Sequence, residues 1–295
     1  MSDKYHQAIE QSQVTDSDAA VRDAVEQILQ KHLQENMTLD NYKFLFNCID
    51  LTTLNGTDSQ QSVARFVERV NDFDNEYPQL DNVAAICVYP NFAQLVRTVL
   101  DVSAVEIAAV AGGFPASQTF SEVKVAEVAL AVRGGADEID IVLNIGAFLD
   151  GDFEEVCDEI AELKHAAGSA RLKVILETGA LASAANIKAA SVLALYSGAE
   201  FLKTSTGKGY PGASLEAAYV MCQCIKEYYA KTGTMVGFKA SGGVRTTEDA
   251  VKYLTIVKEV LGQEWLTNEY FRIGASGLAN NLLADIVNQP GIKFF

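Results

Sequence analysis

Two lysines occupy matching positions in two apolar stretches of the sequence. Lys203 ends a Phe-Leu-Lys run that precedes a loop rich in Ser, Thr and Gly, and Lys239 ends a similar Gly-Phe-Lys run. Because an ammonium group at the end of a buried strand is costly to desolvate, burial lowers the pKa of such a lysine. The neutral amine is a nucleophile that can form a Schiff base with a carbonyl substrate. For Lys203 alone, the alternative is a strand cap whose ammonium group reaches solvent.

A carboxylate lies in a third apolar stretch. Asp140 stands between Ile139 and Ile141, and the alternation of a strand turns it to the face opposite the isoleucines. A buried carboxylate needs hydrogen bonds or a cation, so Asp140 either neutralises an interior lysine or transfers protons, and the two roles are compatible. Neighbouring parallel strands lie ~4.8 Å apart, so we expect Lys203 and Lys239 to share one pocket in which one of them is neutral.

Two glycine-rich loops follow the last two predicted strands. One contains Gly242 and Gly243, and the other contains Gly274 and Ser276 and opens a helix. Glycine lets backbone N–H groups approach an anion, a helix N-terminus adds a favourable dipole, and barrels commonly hold phosphate in these two loops. The sequence therefore predicts a phosphate site, which the Gly207–Lys208 segment could close. The alternative is that Gly242 and Gly243 form only a tight turn.

The elements that would carry these residues alternate regularly from residue 43 onward. Strand-like runs, each followed by a helix-like stretch, occupy Phe44–Ile49, Val83–Tyr89, Val105–Ala111, Glu138–Leu143, Leu172–Leu176, Glu200–Thr204, Met235–Lys239 and Phe271–Gly274. Eight such units with short loops predict an α/β fold whose strands close into a parallel (β/α)8 TIM barrel. The alternative is an open doubly wound sheet, which usually has a G-x-G-x-x-G turn after its first strand, and the sequence has no such turn there.

Residues 1–42 precede this alternation and are predicted to form an N-terminal helical extension, with the barrel domain at 43–295. Ser17 or Asp18 could cap a helix in this extension. Its apolar residues recur with helical spacing and are Val21, Val25, Ile28, Leu29 and Leu33. Such an apolar stripe either packs on the barrel or meets a partner subunit.

The composition excludes several classes of protein. A net charge of −16 over 295 residues argues against binding to nucleic acid or to an anionic membrane surface. The sequence has no run of ~20 apolar residues and begins with a polar segment, so neither a transmembrane span nor a signal peptide is expected. The five cysteines are odd in number and, with the three histidines, show no zinc-ligand spacing. A cytoplasmic protein with reduced thiols and without a metal is predicted.

Seven short motifs lie at or near the predicted strands. They are Asp50-Leu-Thr-Thr-Leu, Ala85-Ile-Cys87-Val-Tyr-Pro90, Gly135-Ala-Asp137-Glu-Ile-Asp140, Lys173-Val-Ile-Leu-Glu177-Thr-Gly, Phe201-Leu-Lys203-Thr-Ser-Thr-Gly-Lys208, Gly237-Phe-Lys239-Ala-Ser-Gly-Gly-Val-Arg245 and Arg272-Ile-Gly-Ala-Ser276. Together they resemble the deoxyribose-phosphate aldolases, a family of class I aldolases. The resemblance runs from about residue 43 to about residue 287 and leaves the N-terminal extension without an assigned role.

The resemblance implies roles for individual residues. Lys203 would form the Schiff base. Lys239 and Asp140 would relay protons, with Asp50 supporting that network. Cys87 would line the aldehyde pocket. The residues expected to bind the substrate and its phosphate are Thr206, Gly207, Lys208, Gly242, Gly243, Gly274 and Ser276.

The resemblance also implies a reaction. It is the reversible retro-aldol cleavage of 2-deoxy-D-ribose 5-phosphate to acetaldehyde and D-glyceraldehyde 3-phosphate, and no cofactor is expected. A sugar phosphate is then the expected partner, and the family suggests a homodimer. Two alternatives stay open at this point. One is a class I Schiff-base aldolase that acts on a different sugar phosphate, and the other is a non-catalytic barrel that binds a phosphate ligand.

Overall fold

Eight parallel strands form a closed barrel in the computed structural model, which describes residues 4–295. Each strand pairs with the next one along the chain, and the last pairs with the first. The strands are β1 (Ile49–Thr52), β2 (Ala85–Val88), β3 (Glu106–Ala111), β4 (Glu138–Val142), β5 (Arg171–Ile175), β6 (Phe201–Lys203), β7 (Gly237–Ser241) and β8 (Phe271–Ala275). This confirms the predicted α/β fold of the (β/α)8 TIM-barrel type.

The helices surround the strands. Within residues 4–295 they are α1 (Lys4–Glu10), α2 (Asp18–Asn36), α3 (Leu39–Asn47), α4 (Gln60–Glu76), α5 (Ala93–Val99), α6 (Ser121–Arg133), α7 (Ile145–Asp150), α8 (Phe153–Ala167), α9 (Thr178–Leu181), α10 (Ala184–Tyr196), α11 (Leu215–Thr232), α12 (Thr247–Leu261) and α13 (Leu278–Val287). Two short 3-10 helices span Pro90–Phe92 and Gln263–Trp265. None of the helices in this part of the chain is long and apolar enough to cross a membrane.

Strand residues alternate between two buried environments. Ile139 and Ile141 belong to the large apolar core between the strands and the helices, whereas Asp140 is buried on the other face of the same strand. Each methylene group buried in the outer core contributes roughly 0.8 kcal/mol. The apolar outer face therefore stabilises the barrel, and the inner face can carry polar groups.

The predicted position of the first strand is wrong. Phe44 to Asn47 are helical and belong to α3, and the strand begins only at Ile49. Thr38 caps α3 by accepting a hydrogen bond from Asn41 N, and Leu45 and Phe46 are buried on one face of the helix. The apolar run before residue 49 is thus the core-facing side of a helix, and the true strand is the short Ile-Asp-Leu-Thr segment that follows.

Strand β7 also differs from the prediction. It was expected to end at Lys239, but it continues to Ser241, so Lys239 lies in the middle of the strand and Lys203 lies at the end of β6. The two lysines are nevertheless paired directly in the parallel ladder. As a result Lys239 is fully buried, and Lys203 lies closer to the mouth of the barrel.

The N-terminal extension packs on the barrel. Of the two candidate caps, Ser17 is the one observed: it caps α2 by accepting a hydrogen bond from Ala20 N. Helix α2 lies against α11 and α12 and buries Val21 and Val25 there. Of the two alternatives for its apolar stripe, packing on the chain itself is the one observed. The predicted domain boundary at residue 43 falls inside α3.

Candidate active site

Lys203 and Lys239 lie side by side inside the barrel. Residues 203 and 239 are directly paired in the ladder between β6 and β7, and both side chains are buried. The Oδ2 atom of Asp140 accepts a hydrogen bond from Nζ of Lys203 at 2.8 Å and from Nζ of Lys239 at 2.7 Å. One carboxylate oxygen therefore joins the two amines that the sequence predicts to share a pocket.

The second oxygen of Asp140 is differently placed. Its Oδ1 lies 3.1 Å from Nζ of Lys173, which is an ion-pair distance. No donor among the described residues is aligned for a hydrogen bond to this atom. Asp140 can therefore accept a further hydrogen bond or a proton at Oδ1 while Oδ2 holds the two lysines.

Asp50 is a second carboxylate partner of Lys239. Its Oδ2 accepts a short hydrogen bond from Nζ of Lys239, and its Oδ1 accepts a 2.7 Å bond from Arg272. Arg272 also donates to Glu138, as does Lys173. The sequence analysis gives no role to these last three residues, although Lys173 and Arg272 stand between apolar neighbours, as Asp140 does, and Glu138 lies two residues before Asp140 in the same strand. The same alternation could have identified them as interior charges.

The interior charges do not balance if all of them are ionised. Four cations face three carboxylates, namely Lys173, Lys203, Lys239 and Arg272 against Asp50, Glu138 and Asp140. An uncompensated charge inside a protein is unfavourable, and loss of one proton from a lysine removes it. Lys203 hydrogen-bonds only to Asp140 in the described residues, whereas Lys239 contacts two carboxylates. Lys203 is therefore the lysine that gives up its proton most readily.

The pKa values of the two lysines shift in opposite directions. Burial lowers the pKa of Lys203 below its ordinary value, and the charge on Lys239 lowers it further against the opposing effect of Asp140. Burial alone would also lower the pKa of Lys239, but Asp140 and Asp50 outweigh it and raise that pKa above the usual range. The geometry thus supplies one neutral amine and one cation, and each shift has a named cause.

The carboxylates stay ionised. Although burial by itself raises their pKa values, the surrounding lysines hold the pKa of Asp140 well below its usual range. The same opposition of burial against Lys239, Lys173 and Arg272 lowers the pKa of Asp50. Both groups are therefore anionic at neutral pH and can stabilise the cation at Lys239.

A cavity of about 480 Å³ opens above Lys203 at the carboxyl ends of the strands. Seven of the substrate-binding residues predicted from the sequence line it, namely Thr206, Gly207, Lys208, Gly242, Gly243, Gly274 and Ser276. Thr52, Asn55 and Arg245 also line it, and sequence reasoning assigned them no role. A larger cavity of about 640 Å³ lies outside the barrel beside Pro90 and Leu130, away from the lysines.

Glycine is required in the loops of this cavity. Gly242 and Gly243 have φ values of 84° and 87°, in the left-handed region that other residues rarely adopt. Ser276 precedes the start of α13, whose first backbone N–H groups have no partner within the helix. Free N–H groups and a helix N-terminus at one end of the cavity are suited to binding an anion.

Lys208 and Thr206 are already engaged by the protein. Nζ of Lys208 donates to the carbonyl oxygen of Leu54 at 2.7 Å, which connects the loops after β6 and β1. The hydroxyl of Thr206 donates to Glu177 at 2.5 Å. Both residues line the cavity, and both also fix its walls through these hydrogen bonds.

Cys87 lies in the barrel interior but is not on the wall of the 480 Å³ cavity. It belongs to a small apolar cluster formed by Leu54, Ala85, Cys87, Ala108 and Val110, with Tyr89 and Phe114 packed against it. Burial raises the pKa of the Cys87 thiol, while Lys239 and Lys203 oppose that effect. The thiol is therefore protonated and less nucleophilic than an exposed cysteine.

A possible metal-ligand group occurs elsewhere. Within the described part of the chain, one group of side chains, His32, Glu35 and Glu259, brings three potential ligand atoms within 4.8 Å of one another. It lies on α2 and α12 at the surface. It is separate from the lysine network and plays no part in that chemistry.

The sequence is similar to known aldolases. A sequence model described as DeoC/LacD family aldolase matches residues 44–279. The deoxyribose-phosphate aldolase of Mus musculus is 42% identical over 258 residues, which cover 82% of this chain and 78% of the mouse protein.

Solved structures show the same fold. An aldolase named QR15 superposes with a TM-score of 0.68 at 30% identity and covers 82% of this chain and 98% of its own. The deoxyribose phosphate aldolase from Aeropyrum pernix, described as tetrameric, gives a TM-score of 0.66 at 24% identity over 90% of this chain and 97% of its own. Because the family model and the mouse relative each cover most of the sequence, this chain belongs to the DeoC/LacD family of aldolases.

Proposed function

We propose that this protein is a deoxyribose-phosphate aldolase that cleaves 2-deoxy-D-ribose 5-phosphate through a Schiff base on Lys203. The observation that carries the proposal is the contact of Lys203 and Lys239 with one oxygen of Asp140, directly beneath a glycine-lined cavity. A neutral amine, a cation and a carboxylate within hydrogen-bond reach are the groups that amine catalysis of an aldol cleavage requires. The mouse relative carries this name at 42% identity.

The covalent steps follow from the chemistry of an iminium ion. Nζ of neutral Lys203 attacks C1 of the open-chain aldehyde, and water leaves as the iminium forms. The 3-hydroxyl then loses its proton and the C2–C3 bond breaks, because acetaldehyde retains carbons 1 and 2. The electron pair of that bond moves into an enamine, and D-glyceraldehyde 3-phosphate departs. Protonation at C2 and hydrolysis release acetaldehyde and regenerate the amine.

The proton transfers require groups that are close to Lys203 and differ in charge. Asp140 contacts Lys203 directly and keeps Oδ1 available, so it can take up or return a proton through water. Lys239 stays charged on the other side of the same carboxylate and favours its anionic form. Asp50 holds Lys239 in place and takes no direct part in the transfer. The result is a relay that can act as base and as acid in successive steps.

The cavity supports recognition of the phosphate end. The loops with Gly207, Gly242 and Gly243 and the segment from Gly274 to Ser276 surround its outer part, and Arg245 also lines it. These backbone and cationic groups counteract a chain whose net charge is −16. They favour a substrate whose reactive aldehyde lies at Lys203 and whose phosphate lies at the loops.

We also infer a cytoplasmic homodimer. The five cysteines are all free and buried, which suits a reducing compartment. The homodimer rests on the family resemblance, and the A. pernix relative is described as tetrameric. Light scattering on the purified protein measures the assembly directly, and a tetramer mass would overturn the dimer.

A substrate comparison tests the proposed reaction. We expect the purified protein to release acetaldehyde and glyceraldehyde 3-phosphate from 2-deoxyribose 5-phosphate, with far slower turnover of ribose 5-phosphate and fructose phosphates. Preferential cleavage of another sugar phosphate would make the protein a different class I aldolase. Saturable binding of 2-deoxyribose 5-phosphate without product would support a non-catalytic barrel instead.

A further inference from the structure

Glu177 has a backbone conformation that glutamate rarely adopts. It follows β5 with φ 55° and ψ 59°, in the left-handed region, and α9 begins at the next residue. Its side chain is buried. Such strain persists where the surrounding structure fixes a residue, and it often occurs beside functional sites. The contacts of Glu177 therefore indicate what the strained conformation achieves.

The carboxylate of Glu177 holds the loop after β6. Its Oε2 accepts a 2.5 Å hydrogen bond from the Thr206 hydroxyl, and its Oε1 accepts a 3.2 Å bond from Thr206 N. The backbone N–H of Lys208 donates in turn to the Thr206 hydroxyl oxygen at 3.0 Å. One buried carboxylate thus fixes the turn that presents Gly207 and Lys208 to the cavity.

The same loop is enclosed on two sides. A Cβ atom at Gly179 would lie 2.3 Å from the carbonyl oxygen of Pro211, and one at Gly212 would lie 2.1 Å from that of Gly242. Ala213 N donates to the carbonyl oxygen of Gly242 at 2.9 Å. The loop from residue 204 to 213 is therefore packed between the segment after β5 and the glycine loop after β7. Glu177, in the segment after β5, holds this loop at Thr206, near its start.

We propose that Glu177 is a positioning residue for the phosphate end of the substrate. It keeps the Thr206–Lys208 turn in register with Gly242 and Gly243, so that the backbone N–H groups of the two loops converge on one anion. Its hydrogen bonds are made to Thr206 and not to the lysine network. The inference rests on the proposed function, because it assigns the outer part of the cavity to phosphate.

A carboxylate suits this position better than an amide. Glu177 accepts hydrogen bonds at both of its oxygens, from an N–H and from an O–H of the same residue. Glutamine presents one acceptor and one donor, so it can satisfy only one of the two groups in this orientation. Loss of the other bond leaves a buried N–H or O–H without a partner and loosens the turn.

Glu177→Gln separates positioning from chemistry. For 2-deoxyribose 5-phosphate we expect kcat/KM to fall about tenfold or more, mainly through KM, which corresponds to the loss of one charge-assisted hydrogen bond. For unphosphorylated 2-deoxyribose, kcat/KM should change by less than about threefold, because Glu177 makes its hydrogen bonds to Thr206 and none to Lys203 or Asp140. The control is Glu159→Gln, which removes a different buried carboxylate, the partner of Lys124. This variant should leave the ratio of kcat/KM for 2-deoxyribose 5-phosphate to kcat/KM for 2-deoxyribose unchanged.

The hydroxyl of Thr206 provides an independent test. Thr206→Val should lose the preference in kcat/KM for the phosphorylated sugar, as Glu177→Gln does, whereas Thr206→Ser, which keeps the hydroxyl, should retain it. The double variant of Thr206→Val with Glu177→Gln should lose no more of this preference than Thr206→Val alone. Equal losses for both substrates, or no loss for either, would overturn the inference. If the wild-type protein does not cleave either sugar, the proposed function fails. Calorimetric binding of inorganic phosphate then decides the inference, with about tenfold weaker binding expected for Glu177→Gln and equal binding contradicting it.

Discussion

The interior of the barrel has two unlike halves. From β4 round to β1 it holds seven ionisable side chains joined by ion pairs, including Lys203, Lys239 and Asp140. Across β2 and β3 it holds Ala85, Cys87, Ala108 and Val110, which form the small apolar cluster already described. In both halves these side chains belong to inward-facing residues of the parallel barrel strands. In the parallel ladder Asp140 is paired with Val110, so the boundary between the halves falls between β3 and β4.

The difference between the halves explains why the two lysines behave differently. Lys239 lies within the charged half, where Asp140 and Asp50 keep its pKa high. Lys203 lies at the end of β6 with one carboxylate partner, and burial dominates the lowering of its pKa. A charged cluster alone would hold both amines protonated, and an apolar interior alone would exclude both. The reactive amine requires the two environments side by side.

The largest expected effect comes from replacing the neutral amine. Lys203→Arg keeps a cation next to Asp140 but cannot become neutral, so no Schiff base can form. We expect kcat to fall on the order of 10⁴-fold or more, with the fold retained in circular dichroism. Near-normal cleavage by this variant would remove Lys203 from the mechanism. Lys188→Arg, a substitution of a buried lysine on α10 outside the barrel interior, is the control and should retain activity within about threefold.

Two variants of the charged half should shift the pH profile in opposite directions. Since the neutral form of Lys203 is required, the rate of Schiff-base formation should increase as the pH rises through the lowered pKa of Lys203. Lys239→Met removes a cation that lowers this pKa, so the profile should move to higher pH. Asp140→Asn removes the anion that raises it, so the profile should move to lower pH. Both shifts are measured as the pH dependence of acetaldehyde trapped at Lys203 by cyanoborohydride.

The overall rates of these variants provide a second observable. Cleavage should fall by about 10² to 10⁴-fold in both, because each loses a member of the proton relay. Shifts of the two profiles in the same direction would contradict the assignment of opposite charges to the two neighbours of Lys203. An unchanged rate in both variants would contradict the relay itself.

A polar group in the apolar half should cost stability more than activity. Val110→Asn places an amide in the small apolar cluster with Leu54, Cys87 and Ala108, at the edge of the apolar half where residue 110 is paired with Asp140. Urea unfolding should show a loss of roughly 2–4 kcal/mol, and cleavage should fall by less than about tenfold. Val110→Ala is the control for the lost side-chain volume alone, and it should lower the free energy of unfolding by less than Val110→Asn does. A rate loss as large as that of Lys239→Met would mean that the two halves do not differ as described.

The smallest effect is expected at Cys87. Cys87→Ala should lower the free energy of unfolding by about 1 kcal/mol and leave kcat/KM within about threefold, because the thiol is off the cavity wall and protonated. Iodoacetamide should modify the native wild-type thiol slowly for the same reason. A hundredfold loss of activity would instead place the thiol in contact with the reacting atoms.

The sequence is informative where side-chain alternation and local chemistry agree. Alternation predicts that Asp140 faces the inside of the barrel, and the repeated apolar-lysine pattern predicts that Lys203 and Lys239 share one pocket, as the ladder between β6 and β7 confirms. The glycine loops stand out because glycine suits their left-handed conformation better than any other residue. These features depend on a few neighbouring residues each, so a single sequence is sufficient to predict them.

Other features depend on contacts between distant parts of the chain. The predicted position of the first strand is wrong because Phe44 and Phe46 are equally compatible with a helix and a strand, and packing decides between them. Alternation marks Lys173 and Arg272 as interior charges, but their partners Glu138 and Asp50 are far away in sequence, so no local pattern predicts these ion pairs. The role of Glu177 depends on a hydrogen bond to a residue 29 positions later, which no local pattern reveals.

Reductive trapping identifies the lysine that forms the Schiff base. The protein is mixed with 2-deoxyribose 5-phosphate or acetaldehyde, reduced with borohydride, and digested, and the modified peptide is mapped by mass spectrometry. We expect one stable adduct, on Nζ of Lys203, with Lys239 unmodified. No adduct on the folded protein, or an adduct on Lys239 instead, would contradict the assignment of Lys203 as the neutral nucleophile.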